Sequence, residues 1–146
     1  MFDLSGRVVV ITGGNGGIGL GMARALAGAG AEVAVWGRDA TKNDAAVAEL
    51  TGLGTRVSSQ IVDVVDPEQV RRAMEGTVEA HGRVDSLFAN AGTFGPAPFL
   101  TQTLDGWRRV VEVNLDGAFL CLQAAATQLV EQGEGGSLVA VSSTSA

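Results

Sequence analysis

Val8-Val9-Val10-Ile11-Thr12-Gly13-Gly14-Asn15-Gly16-Gly17-Ile18-Gly19 joins a β-branched apolar run to a cluster of glycines. The run does not alternate apolar with polar residues, so it reads as a strand buried on both faces, as in a parallel sheet. After the glycines, Ile18, Met22, Ala25, Leu26 and Ala29 recur at helical spacing, and Gly28 and Gly30 stand where a helix would stop. The glycines therefore occupy a strand-to-helix turn. Unpaired N–H groups and the helix dipole favour a phosphate there, and the missing side chains let a pyrophosphate approach the backbone. A tight glycine turn with no ligand is the alternative that a motif by itself leaves open.

The composition narrows the class. With 146 residues, 46% of them hydrophobic, the chain is long enough to bury a core and reads as one domain over 1–146. Only 10 Lys+Arg stand against 16 Asp+Glu, a formal net charge of -6, so there is no basic field for nucleic acid or an anionic membrane. The apolar runs are far shorter than the roughly 20 residues that span a bilayer. Met1-Phe2-Asp3-Leu4 lacks the basic start and apolar stretch of a secretion signal, which points to the cytoplasm. Cys121, the only cysteine, lies in an apolar helical stretch and reads as a buried small hydrophobe. His81 is equally alone and reads as a helix-terminal residue; no metal site is expected.

Strand-like and helix-like segments alternate along the whole chain. Strands are expected at 8–12, 32–36, 57–62, 84–89 and 138–142, and helices at 18–29, 41–50, 67–80 and 104–130. Asp66 as N-cap, Pro67 at the first helical position and Glu68 in the first turn mark the start of the third helix. Right-handed crossovers then give a Rossmann-type doubly wound parallel α/β sheet of order 3-2-1-4-5, with a crevice where the order reverses. The glycine turn and Asn90-Ala91-Gly92 both fall at that crevice. Phe94, Pro96, Phe99 and Trp107 read either as rim of a substrate site or as core.

Two glycine patterns share the opening stretch. Gly14-x-Gly16-x-x-Gly19 is the general dinucleotide fingerprint, and Thr12-Gly13-x-x-x-Gly17-Ile18-Gly19 is the more discriminating one. Together with Asp63-Val64, Asn90-Ala91-Gly92, Asn114 and Ser142-Ser143 in that order, it resembles the short-chain dehydrogenase/reductase family along the whole chain. The resemblance implies that Thr12, Gly13, Gly17, Ile18 and Gly19 form the pyrophosphate turn. It implies that Asp63 and Val64 meet the adenine, and that Asn90, Ala91 and Gly92 line the ribose nearest the nicotinamide. Asp63 has a plainer reading as a strand-end carboxylate capping a turn.

At the end of the second strand a carboxylate would select NAD through the ribose 2′-hydroxyl, but Gly37 stands there, followed by Arg38. A guanidinium matches a 2′-phosphate, so NADP is expected over NAD, with Asp39 as the counterargument. For catalysis the resemblance implies Asn114 as the residue that kinks the long helix and holds a relay water. It implies Ser143, rather than the adjacent Ser142, as the hydroxyl that orients the reacting oxygen. The family's general acid is a tyrosine in a Tyr-x-x-x-Lys helix, and these residues contain no tyrosine. The expectation is thus the cofactor-binding part of an oxidoreductase interconverting an alcohol and a ketone. It would be truncated after the fifth strand, inactive alone, and homo-oligomeric, a dimer or tetramer, when complete. A dinucleotide-binding module without redox activity is the alternative, while a methyltransferase would want an acidic residue where Gly37 sits.

Overall fold

The computed structural model describes residues 2–95 and 97–143. Strands β1 (Val8–Thr12), β2 (Glu32–Gly37), β3 (Val57–Ile61), β4 (Ser86–Ala89) and β5 (Ser137–Ala140) form one parallel sheet of order β3-β2-β1-β4-β5. Helices α1 (Gly17–Gly28), α2 (Ala40–Thr51), α3 (Pro67–His81), α4 (Leu104–Val111) and α5 (Gly117–Gln132) join them. The expected strand order holds.

The central strands carry apolar side chains on both faces, and successive residues feed different cores. Val9, Ile11, Val33 and Val35 pack with Ala23 and Ala27 of α1 and Ala46 and Leu50 of α2. Val10, Ala34 and Trp36 turn the other way, onto Val70, Ala73 and Met74 of α3 and Cys121 and Ala125 of α5. Each fully buried valine or isoleucine contributes about 1.5–3 kcal/mol. That makes β1, buried along its whole length, the mechanical centre on which the glycine turn is mounted.

Boundaries differ from the sequence reading where side chains take over backbone bonding. β4 starts at Ser86 instead of Val84 because the Gln132 amide bonds both Val84 N–H (2.9 Å) and Val84 C=O (2.8 Å). The long helix expected over 104–130 is helical throughout but not uniform. A π-helical turn, Glu112–Asp116, lies between α4 and α5. Phe94, Phe99 and Trp107 are 70%, 92% and 59% exposed, so none is core; Pro96 lies outside the described residues. Cys121 is fully buried, and burial pushes its thiol up to about 12. His81 ends α3, with its ring nitrogens 2.7 Å from Glu32 and 2.8 Å from Ser58.

Candidate functional site

A cleft of about 400 Å³ opens at the carboxyl edge of the sheet, within the roughly 300–1,000 Å³ typical of ligand pockets. Gly13, Ile18, Gly19, Arg38, Asp63, Val64, Asn90, Ala91 and Gly92 line it, as do Asn15, Gly16, Trp36, Gly37, Val62 and Val113. Most of the residues singled out from sequence therefore face one space. Thr12, Gly17, Asn114 and Ser143 are not among its lining residues.

Thr12 bonds to the loop that follows β4. It is buried, and its hydroxyl accepts from Asn90 N–H (2.9 Å) and Ala91 N–H (2.8 Å) while donating to Phe88 C=O (3.4 Å). Asn90 Nδ2 returns a bond to Thr12 C=O (2.9 Å). These bonds tie the end of β1 to the end of β4, across the point where the strand order reverses. The α1 turn is pressed onto the same seam: a Cβ on Gly19 would overlap Gly13 O and stand 2.6 Å from Asn90 Nδ2. Glycine at 19 is required by that close approach.

The amino terminus of α1 is open. Gly16 at the N-cap supplies no side-chain bond, and the first turn holds no acidic residue. The first N–H groups of a helix have no partner within it, so this end favours an anion. By contrast Asp39, Asp66 and Thr103 each cap their own helix. Asp39 Oδ1 accepts from Lys42 N–H (3.1 Å), which holds this carboxylate at the start of α2.

At the far end of the cleft, Asp63 is placed by Gln69, whose Oε1 accepts from Asp63 N–H (2.9 Å) and whose Nε2 donates to Asp66 Oδ2 (2.9 Å). The Asp63 carboxylate reaches Val65 N–H only at 3.4 Å, a weak turn cap that leaves acceptor capacity toward the cleft. The Asp66 carboxyl is held below its ordinary value, first by the Gln69 N–H and then by the Gln69 side-chain amide. Gln69 was readable in principle as the third residue after an N-cap Asp.

Asn114 sits within the π-helical turn, a feature often found at functional sites. Its Oδ1 accepts from Thr93 N–H (2.7 Å) and its Nδ2 donates to Thr93 C=O (3.0 Å), so the amide grips the loop that follows β4. Ser143 is exposed, just past β5 at the same edge of the sheet.

Two further groups were invisible in the sequence. Lys42, with Asn15, Arg38 and Asp39, lines a recess beside the main cleft. Buried Asn43 bonds Asn15, Gly37 and Gln60. Neither carries a motif; α2 brings both to the end of β2.

The open α1 terminus, the cleft beside it and the acceptor at Asp63 fit an extended dinucleotide. Gly13 to Gly19 would hold its pyrophosphate, Asp63 and Val64 its adenine, and Asn90 to Gly92 its second ribose.

A family model described as short chain dehydrogenase matches residues 7–146. An L-rhamnose 1-dehydrogenase (NAD(P)(+)) from Sphingomonas sp. is 41% identical over 98% of this chain and 57% of its own length. A short-chain type dehydrogenase/reductase from Mycobacterium marinum superposes with a TM-score of 0.94 at 37% identity, over 97% of this chain and 57% of that one. An NAD+-bound xylitol dehydrogenase gives a TM-score of 0.92 at 33% identity, over 96% and 54% respectively. The chain thus spans little more than half the length of the proteins it matches.

Proposed function

Because the chain belongs to the short-chain dehydrogenase family, we propose that it forms the cofactor-binding part of an oxidoreductase interconverting a small alcohol and a ketone, with NADP preferred over NAD. The observation that supports this most is the uncapped α1 terminus opening on a cleft at the reversal of strand order. When bound, the nicotinamide supplies the hydride chemistry. Holding and orienting that cofactor falls to side chains and backbone of this chain.

In this reading Gly17 and Gly19 give the pyrophosphate its N–H donors, Gly13, whose own N–H is taken by Trp36 C=O (2.7 Å), gives it close approach, and Ile18 supports the turn through its backbone. Thr12 acts from behind, holding Asn90 and Ala91 in place. The Arg38 guanidinium meets the 2′-phosphate, and no carboxylate at position 37 opposes it. Asn114 keeps the loop after β4 in register through Thr93, and Ser143 orients the reacting oxygen. The 146 residues include no tyrosine to serve as general acid, so by themselves they bind without turnover.

The same reading carries a cytoplasmic location and a homo-oligomer. Among the described residues no helix is long and apolar enough to cross a membrane. Phe119 and Val130 of α5, 59% and 81% exposed, offer apolar surface to a second copy.

Calorimetric titration with NADP and with NAD tests the cofactor reading. Tighter NAD binding overturns the preference, and absence of saturable binding to either overturns the whole proposal. Supplying NADPH and a panel of ketones should give no loss of nicotinamide absorbance above background. The second reading is a dinucleotide-binding module without redox activity, since the same fold serves binding as well as catalysis. A Tyr-x-x-x-Lys encoded past Ala146 supports the enzyme; a stop codon there supports the module.

A further inference from the structure

We propose that Asn15 and Asn43 are specificity-determining residues, a bridged amide pair that bars any side chain from position 37 and so excludes the carboxylate that would select NAD. The inference rests on the dinucleotide reading of the cleft and adds the physical reason why Gly37 stays glycine.

Asn43 lies on α2 and is 1% exposed. Its Nδ2 donates to Gly37 C=O (3.0 Å) and to Gln60 C=O (3.1 Å), which uses both amide hydrogens and clamps the ends of β2 and β3 together. An amide has two donors and one carbonyl, so Asn43 Oδ1 is left as acceptor. The reversed amide would press that oxygen against two backbone carbonyls. Asn15 Nδ2 fills the acceptor at 2.7 Å, linking the glycine turn to α2.

This bridge lies over Gly37. A Cβ there would overlap Asn15 Nδ2, stand 2.7 Å from Asn15 Cγ and stand 2.6 Å from Asn43 Oδ1. The two amides are unequal. Asn43 cannot withdraw without giving up its bonds to both Gly37 C=O and Gln60 C=O, which would leave Gly37 C=O with Val62 N–H (3.2 Å). Asn15 is half-buried on the glycine turn, and among the described residues its only hydrogen bond is the one to Asn43. Asn15 is therefore the member that can yield. It also lines both the main cleft and the recess that holds Arg38, Asp39 and Lys42, so its position sets the wall between them.

The test is NADPH and NADH binding, read by nicotinamide fluorescence, for the chain and for variants at these positions. Gly37→Ala should weaken NADPH binding about tenfold, and adding Asn15→Ala and Asn43→Ala together, which removes both side chains a Cβ would meet, should bring it back to within about threefold of the Asn15→Ala, Asn43→Ala variant. Gly37→Asp alone should gain no NADH affinity, whereas Gly37→Asp with both asparagines changed to alanine should bind NADH at least about tenfold more tightly than Gly37→Asp. If Gly37→Asp binds NADH as well as that triple variant does, or Gly37→Ala binds NADPH like the parent, the pair bars nothing and the proposal falls. Thermal melts accompany each titration, and the Gly37→Ala pair decides if the aspartate variants do not fold. A parent chain that binds neither coenzyme removes the dinucleotide reading itself, an outcome recognisable before any variant is made.

Discussion

The amino termini of α1 and α3 follow strands at the same edge of one sheet, yet they are finished in opposite ways. At α3, Asp66 accepts from Glu68 N–H (2.9 Å) and Gln69 N–H (3.1 Å), Pro67 removes a donor, and Glu68 places a carboxylate in the first turn. At α1, Gly16 offers no side chain and the first turn holds no acid. The peptide dipoles are alike in kind, so the difference lies in who satisfies them. The chain neutralises α3 with its own residues, which stabilises the fold. It provides no such residue at α1, the terminus where we propose that the cofactor's pyrophosphate binds.

Spoiling the close approach behind α1 should have the largest effect. Gly19→Ala sets a Cβ against Gly13 O and Asn90 Nδ2, and we expect NADPH affinity to fall about a hundredfold in a fluorescence titration. Giving α1 the finish of α3 should come next. Gly16 is in extended backbone with open space around the position of a Cβ, so Gly16→Asp fits. It should raise the melting temperature while weakening NADPH about tenfold, because the new carboxylate takes the donors that the pyrophosphate needs. A variant in which stability and binding rise together would break the contrast.

The converse change should have the smallest effect on binding. Asp66→Ala should leave NADPH affinity within about threefold of the parent and lower the melting temperature, since this cap serves the fold first and reaches the cleft only through Gln69 and Asp63. Acid should imitate it. The Asp66 carboxyl is held below its ordinary 3.8 in the folded chain. Its contribution is therefore present above the unfolded value and is lost as pH falls through the lower, folded one. Amide protection in the first turn of α3, taken relative to the intrinsic exchange rate at each pH, should fall over that range, while that of the first turn of α1 stays as it was.

How much of this was legible in the sequence follows from how local each cause is. β1 and the glycine turn were readable because an unbroken β-branched run followed by glycines needs no distant partner to be interpreted. The Asp66 cap was readable for the same reason. Val84 was assigned to β4 because its β-branched side chain fits a strand, but its backbone groups belong to Gln132, 48 positions away. The π-helical turn around Asn114 carries no capping side chain that would mark it, so only the resemblance pointed to it. Asn15 and Asn43 are 28 positions apart and meet only because β2 runs beside β1. What stayed hidden was pairing between polar groups across the fold, and that pairing decides which side chains position 37 can accept.

Backbone amide shifts during a titration of the isotope-labelled chain with NADP test the central contrast most directly. The largest changes should fall on Gly13 to Gly19, with Glu68 and Gln69 at the start of α3 unmoved. Equal shifts at both helix termini, or shifts centred away from the glycine turn, would contradict the account.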